Sequence, residues 1–292
     1  MSDKMKNLVT RTLSGAVFIA VFVGAVLWSQ WGFWALLLCI MIGCQTEFYR
    51  LCLKGGINPQ RVAGLICSIA LFLINMMIFM WVEDDNAAFV WNNPTLLVVL
   101  TLYFILLQPA MFICELWRRS ETPIANVSAT IAGVVYIVLP LSLLPYIVLM
   151  LGHGGVWNAL VLLGYMLLVW GNDVFAYLAG VMFGRHKMFE RISPKKSWEG
   201  FAGGIAGAVL IGLAVCRFIE SDWSLWCGLA VVVAVSGVAG DLVESMFKRS
   251  VGVKDSGNIL PGHGGWLDRF DALLISVPFA FVYTMLWCAC CK

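Results

Sequence analysis

The chain has 292 residues, of which 61% are hydrophobic and only 12% charged, and its formal net charge is +2. Because soluble globular domains are about 25% charged, this composition excludes a soluble globular protein. The apolar runs continue over about 20 residues, which is the length of a membrane-spanning helix and excludes a barrel, whose strands alternate over about 10 residues.

Nine apolar segments predict an all-α, polytopic integral membrane protein with about nine transmembrane helices. We divide them between an N-terminal transmembrane region of five helices, residues 1–151, and a C-terminal region of four helices and two hydrophilic loops, residues 152–292. The predicted spans are Thr10–Trp28, Trp31–Tyr49, Val62–Val82, Thr95–Trp117, Pro123–Leu151, Val156–Val181, Gly200–Phe218, Leu225–Met246 and Trp266–Cys288.

The basic residues indicate the orientation of these helices, because short cytoplasmic loops of membrane proteins carry an excess of Lys and Arg. With nine spans, 17 of the 19 Lys and Arg fall on one side of the membrane, and only Arg217 and Lys292 fall on the other. This alternation predicts a cytoplasmic N-terminus. It also places the two longest hydrophilic loops, before the seventh and the ninth helix, on the cytoplasmic side.

The segment from Asp241 to Asp271 is unusually charged for a sequence between two apolar helices. It contains five carboxylates and four Lys or Arg. Charged groups at membrane depth are costly, and they normally face a bundle interior or a water-filled cavity as functional groups. The alternative is a solvated cytoplasmic loop whose charges pair with one another.

Helical spacing places several of these groups on common helix faces, since positions i, i+3, i+4 and i+7 lie on one side of a helix. Clustered carboxylates repel each other unless a cation neutralises them, and oxygen ligands suit hard ions such as Mg²⁺. We therefore expect two antiparallel helix ends to form a Mg²⁺ site. The residues concerned are Asp241, Glu244, Ser245 and Lys248 on the eighth helix and Asp268 and Asp271 on the ninth.

A Mg²⁺ site among Lys, Arg and glycine residues is typical of phosphoryl or nucleotidyl transfer, because metals and cations neutralise charge on phosphate oxygens. The backbone amides of residues 262–265 can approach a phosphate closely, since three of these residues are glycines without a Cβ.

Two other carboxylates lie in apolar segments. Asp173 is at membrane depth, and Glu47 is expected at the membrane interface next to Arg50.

The loop from Gly184 to Gly200 contains five basic residues. Ser193 and Pro194 are placed like an N-cap and a first helical residue, which predicts a helix N-terminus there. Such a terminus beside Lys195, Lys196 and Ser197 is expected to bind an anion. The alternative is basic charge that only sets the membrane topology.

The loop from Gly184 to Gly200 and the segment from Asp241 to Asp271 resemble the signature motifs of the CDP-diacylglycerol synthase (phosphatidate cytidylyltransferase) family. The similarity runs in order from about Asn172 to Asp271, whereas the first five helices match only as apolar spans. Trp266 departs from the family pattern, which usually has an aliphatic residue there, and one usual glycine is missing between Arg185 and Ile192. The matching positions are Asp173, Tyr177, Gly184, Arg185, Ile192 to Gly200, Ser245, Lys248, Arg249, Lys254, Asp255, Pro261 to Gly265, Asp268, Arg269 and Asp271.

The resemblance implies a reaction of CTP with phosphatidic acid to give CDP-diacylglycerol and pyrophosphate, with Mg²⁺ and a monovalent cation such as K⁺ nearby. Asp241 and Asp268 are predicted to bridge the metal, with Glu244 and Asp271 supporting them. His263 is expected to donate a hydrogen bond to a phosphate or to shape its loop. The residues expected to bind substrate and phosphate are Asp173, Lys195, Lys196, Ser197, Ser245, Lys248, Arg249, Lys254, Asp255, Gly264, Gly265 and Arg269.

The expected partners are CTP, phosphatidic acid and membrane lipids, with a homodimer as the assembly and no nucleic-acid partner. The expected location is the cytoplasmic (inner) membrane of a bacterium, with the active site facing the cytoplasm. Two rival functions stay open. One is a CTP-dependent lipid kinase, and the other is an ion-coupled transporter, which should place its carboxylates near the membrane midplane rather than at one end.

Overall fold

The computed structural model describes residues 3–83, 94–152, 156–257, 259 and 264–291. In that part of the chain, eight helices are long and apolar enough to cross a membrane, and residues 12–28 form a shorter apolar helix. The all-α, polytopic membrane class is therefore confirmed. The count of nine spans and the cytoplasmic N-terminus stay predictions.

Each predicted apolar segment corresponds to a helical rod, and two of the rods contain a π-helical turn, Tyr103–Leu107 and Val134–Val138. A proline follows each turn, at Pro109 and Pro140, and proline has no amide hydrogen to donate to the carbonyl one turn earlier. The α-helices are α1 (Asp3–Trp28), α2 (Gln30–Lys54), α3 (Arg61–Glu83), α4 (Pro94–Leu102), α5 (Gln108–Arg118), α6 (Pro123–Gly133), α7 (Leu139–Leu151), α8 (Ala159–Phe183), α9 (Trp198–Ile219), α10 (Trp223–Ser250) and α11 (Leu267–Cys291), and the strands are β1 (Lys187–Phe189) and β2 (Ser193–Ser197).

The chain forms two compact units. Unit 1 comprises Met1–Ala25, Ser29–Ser142 and Asp255–Leu267, and unit 2 comprises Val26–Trp28, Leu143–Lys254 and Asp268–Lys292. Unit 1 thus includes most of the segment between α10 and α11. The predicted division of the chain at residue 151 stays a prediction.

Tyr49 on α2 is the centre of the unit 1 core and is fully buried. Its hydroxyl donates to the carbonyl of Thr130 on α6 at 2.9 Å and accepts from Gln45 at 2.8 Å. Gly64 on α3 and Gly133 on α6 leave room for the ring, because a Cβ at either position would overlap it. A large aromatic side chain with a satisfied hydroxyl therefore joins three helices.

In unit 2, α8 and α9 pack with their backbones in close contact. A Cβ at Gly200 would lie 2.8 Å from the carbonyl oxygen of Ala176, and one at Gly204 would lie 3.1 Å from that of Asn172. Small residues allow helices in membranes to approach closely, where lipid tails provide no hydrophobic driving force. Asp173 lies on α8 of this pair, and Glu199 lies in the first turn of α9.

Candidate active site

Three carboxylates converge where α10 and α11 approach each other in unit 2. One oxygen each from Asp241, Glu244 and Asp271 lies within 4.8 Å of the others, so the three residues could hold a metal ion. Gly240 permits this approach, since a Cβ there would lie 3.1 Å from the Cα of Ala272. Glu244 is fully buried, and the other two carboxylates are half-buried. Such like charges repel each other unless cations are near.

Two lysines supply part of that positive charge. Lys196 Nζ lies 2.6 Å from Asp241 Oδ2. Lys248 Nζ lies 2.6 Å from Asp268 Oδ1 and also pairs with Glu244, one helical turn before it. Asp268 therefore forms an ion pair with Lys248. In the part of the chain that the structure describes, it does not belong to the group of three converging carboxylates. Its role as a bridging metal ligand stays a prediction.

The loop before α9 is an antiparallel hairpin in which Lys187 of β1 pairs with Ser197 of β2. Ser193 and Pro194 lie in β2, so the prediction that a helix begins at these residues was wrong. The pairing keeps the backbone extended up to Ser197, and this residue is the N-cap of α9 instead. Its Oγ accepts from the amide of Gly200 at 3.1 Å, which satisfies one of the unpaired N–H groups of the first turn.

Glu199 ties the hairpin to the first turn of α9. Its carboxylate accepts from the backbone amides of Arg185 and His186 at 3.1 to 3.2 Å. Its Oε1 also lies 2.6 Å from Nδ1 of His186. These contacts hold the base of the hairpin, and thereby the strand that carries Lys196.

A cavity of about 550 Å³ lies in unit 2 between α8, the hairpin, α9 and α10. This volume is in the range of small-molecule sites. Asp173 is exposed at this cavity and interacts electrostatically with Asp241, Lys196 and Arg269. The cavity thus combines carboxylates with cations. Its polar lining is Asp173, Tyr177, Lys187, Lys195, Lys196, Ser197 and Asp241.

Other predicted residues lie near the end of α10. Ser245 Oγ donates to Asp241 Oδ1 at 3.2 Å, as the i, i+4 spacing allows. The Arg249 guanidinium donates to the carbonyl of Val253 at 2.8 Å, which closes the turn after the helix. Lys254 and Arg269 are exposed. Their roles in phosphate binding stay predictions.

Asp255, Gly264 and Gly265 belong to unit 1. Asp255 is exposed, and Gly265 is buried. Gly264 has φ +85°, a backbone conformation that favours glycine. His263 lies outside the described residues. Whether these four residues contact substrate stays a prediction.

Glu47 has a different environment from the one expected from the sequence. It is fully buried in unit 1, whereas its neighbour Arg50 is exposed. Its Oε2 accepts from the hydroxyl of Ser256 at 2.8 Å and from the amide of Leu267 at 2.9 Å. The interfacial position stays a prediction, and these partners are more than 200 residues away in sequence, so no local pattern reveals them.

Fold and site together define an all-α integral membrane protein with a cavity lined by carboxylates and lysines at its helix ends. Charged side chains at such positions normally serve a function. The model of the cytidylyltransferase family matches residues 9–287, and the chain belongs to that family.

Curated relatives of the chain include phosphatidate cytidylyltransferases from staphylococci. The protein from Staphylococcus aureus (strain COL) is 48% identical, that from Staphylococcus epidermidis (strain ATCC 12228 / FDA PCI 1200) 49%, and that from Staphylococcus saprophyticus 47%, each over 114 residues. Each alignment covers 38% of this chain and 44% of the relative. The match therefore spans less than half the length of these relatives.

Proposed function

We propose that this chain is a phosphatidate cytidylyltransferase, which converts CTP and phosphatidic acid to CDP-diacylglycerol and pyrophosphate. The observation that carries the proposal is the cavity in which Lys196 pairs with Asp241, beside Glu244 and Asp271, in a chain of the cytidylyltransferase family. A nucleoside triphosphate binds where cations neutralise its phosphates and carboxylates hold its metal ion, and this cavity has both kinds of side chain.

The reaction is a substitution at the α-phosphorus of CTP. An oxygen of the lipid phosphate forms the new P–O bond, the bond between the α-phosphorus and the bridging oxygen breaks, and pyrophosphate leaves. A phosphate monoester has its second pKa near 6 and is mostly dianionic at pH 7, so it is a nucleophile without a general base. We therefore keep His263 as a hydrogen-bond donor to phosphate or as a residue that shapes its loop.

The carboxylate cluster fits the Mg²⁺ that the family resemblance implies. Asp241, Glu244 and Asp271 offer converging oxygen ligands, which is the donor set that hard divalent ions prefer. A bound Mg²⁺ supplies neutralisation of the charge that develops on phosphate oxygens. We assign these three residues to the metal, with Asp268 either as a further ligand or as the partner that orients Lys248. A monovalent cation such as K⁺ nearby is part of the proposal.

The remaining residues bind and orient the two substrates. Lys196 and Lys195 lie on one strand at the cavity, where they can contact the phosphates of CTP. Exposed Lys254, Arg249 and Arg269 add positive charge near the ends of α10 and α11. Catalysis in this scheme is positioning plus electrostatic stabilisation of the transition state.

The location and assembly are also proposals. We infer that the site faces the cytoplasm, because 17 of the 19 Lys and Arg fall on one predicted side of the membrane. There, CTP from the cytosol meets the head group of phosphatidic acid. We place the protein in the inner membrane of a bacterium as a homodimer, and chemical cross-linking in membranes tests the second copy.

The decisive experiment uses purified protein, phosphatidic acid, Mg²⁺ and CTP that is labelled in either the α- or the γ-phosphate. We expect the α-label in the lipid and the γ-label in pyrophosphate, with no product when Mg²⁺ is omitted. Recovery of the γ-label in lipid would support a CTP-dependent lipid kinase instead. Uptake of a substrate into sealed vesicles without CTP would support a transporter.

A further inference from the structure

We infer that Glu47 is a positioning residue of the proposed reaction, because it holds both ends of the segment Asp255–Leu267 against α2. This segment carries Asp255, Gly264 and Gly265, which are predicted to bind substrate or its phosphates. The inference rests on the proposed function, and it assigns a task to a buried carboxylate that the reaction itself does not use.

A single oxygen atom makes both attachments. Glu47 Oε2 accepts from the Ser256 hydroxyl at 2.8 Å, near the start of the segment, and from the Leu267 amide at 2.9 Å, at its end. Both hydrogen bonds are buried, and no part of Glu47 is exposed. A buried donor that loses its acceptor costs the desolvation free energy of that group, so both hydrogen bonds favour this position of the segment.

Two glycines of the segment pack on the same carboxylate. A Cβ at Gly257 or at Gly265 would overlap the carboxylate group of Glu47. A long exposed side chain would simply move away from such a contact. Glu47 is buried and hydrogen-bonded, so it cannot move without losing Ser256 or Leu267. Glycine at these two positions thus allows the main chain to lie directly against the anchor.

The attachment at Leu267 also determines where α11 begins. Leu267 is the first residue of this helix, and the amides of a first turn have no partner within the helix. The Glu47 carboxylate oxygen accepts from one of these amides and so satisfies a donor that the helix leaves unpaired. Glu47 thus holds the last residue of the unit 1 segment, Leu267, where the helix begins.

An anchored segment lowers the entropy cost of substrate binding, because residues that contact phosphate are ordered before CTP arrives. Without the anchor, the groups that are predicted to bind substrate would still be present. The segment would then have to become ordered each time CTP binds. The expected effect is a higher KM for CTP, of about tenfold, with a smaller change in kcat.

Hydrogen–deuterium exchange of the full-length protein in detergent, together with steady-state kinetics, tests the inference. In Glu47→Ala, we expect faster exchange in residues 255–267 and the rise in KM for CTP. Ser256→Ala keeps the carboxylate and removes one attachment, so it should show a smaller change in the same direction. Glu121→Ala, which changes an exposed glutamate of unit 1, is the matched control and should alter neither quantity.

A second pair of variants tests the contact itself. Gly265→Ala should speed exchange in the segment when Glu47 is present and should have little further effect in the Glu47→Ala background. Unchanged exchange in both Glu47→Ala and Ser256→Ala would overturn the anchor. Faster exchange with an unchanged KM for CTP would overturn the positioning role. If the wild-type protein transfers no cytidylyl group, the proposed function fails together with the positioning role, while faster exchange would still support the anchor.

Discussion

Unit 1 and unit 2 each contain a group of buried polar side chains, but the two groups differ in how their charges are balanced. In unit 1, Glu115 accepts from Gln60 at 2.6 Å, from Asn126 at 2.8 Å and from Arg118 at 2.8 Å. Both of its oxygens have strong donors. A buried carboxylate with such partners is what a stable helix bundle requires.

In unit 2, the carboxylates of Asp241, Glu244 and Asp271 lie together. Lys196 pairs with Asp241, and Lys248 pairs with both Glu244 and Asp268. Like charges packed at this density destabilise a fold, and they persist where a function needs them. The comparison indicates that polarity and burial do not by themselves identify an active site. The imbalance of charge beside a cavity is the feature on which we base the proposed site.

The largest expected effect comes from Asp241→Asn, which keeps the shape of the side chain but removes its charge. Because a metal-binding carboxylate contributes several kcal/mol to the transition state, we expect a loss of activity on the order of 1,000-fold. Glu115→Gln should retain most of its activity per folded molecule. The check is CDP-diacylglycerol formation, normalised to protein that elutes as a folded species. Near-normal turnover by Asp241→Asn would contradict a catalytic role for the Asp241 cluster of unit 2 and would leave it no different in function from the Glu115 cluster of unit 1.

Next in size is the effect of Lys196→Ala compared with its neighbour Lys195→Ala. Lys196 pairs with Asp241, whereas Lys195 is exposed at the edge of the cavity. A hydrogen bond to a charged group contributes about 1.5 to 3 kcal/mol, so Lys196→Ala should lower kcat/KM by about 10- to 100-fold. Lys195→Ala should cause a smaller loss. Equal losses in the two variants would contradict a specific role for the Asp241 pair.

In unit 1, Glu115→Ala should reduce stability rather than catalysis. It leaves Gln60 and Asn126 with buried donors that lack an acceptor, which should cost about 2 kcal/mol of unfolding free energy. We expect a lower Tm in detergent and unchanged KM values for the protein that remains folded. A selective rise in a KM at unchanged Tm would mean that this cluster takes part in substrate binding.

The smallest effect is expected at the helix caps. Ser197→Ala removes the N-cap of α9, which should cost about 1 kcal/mol and also displace the strand that carries Lys196. Asp222 caps α10 by accepting from the Ser224 amide at 2.7 Å, and it is the matched comparison. Asp222→Ala should lower Tm slightly without a change in kcat/KM. Thermal unfolding and kinetics of both variants distinguish the two caps. A cap that also positions the site changes both Tm and kcat/KM, whereas a cap that only stabilises its helix changes Tm alone.

Long apolar runs made the positions of the helices predictable, because each run is as long as a membrane-spanning helix. Helical spacing also predicted that Ser245 and Asp241 share one face of α10, where the structure shows a hydrogen bond between them. The π-helical turns were not predicted, although a proline follows each of them, at Pro109 and Pro140, because a proline in an apolar run does not specify how the backbone adapts to the missing hydrogen bond. Ser193 was chosen as a cap because of the proline that follows it, but pairing with β1 moved the helix start to Ser197.

Contacts between distant residues were beyond the sequence pattern. Lys196 and Asp241 lie on different elements, and no spacing rule links them. Glu47 looked like a residue of a helix end because only its neighbours were visible in the sequence. Its partners, Ser256 and Leu267, became apparent once the chain was folded.

The close contact of α8 and α9 through Gly200 and Gly204 has a consequence for the width of the cavity. On the side of the cavity formed by these two helices, Ala176, Gly180 and Gly200 have small side chains or none, and Tyr177 and Phe201 supply the larger surfaces. Adjustment to different occupants can come from these two aromatic side chains and from the hairpin with its lysines. A wider or narrower cleft in a related protein would require a new spacing of the two helices, not a simple exchange of one side chain for another.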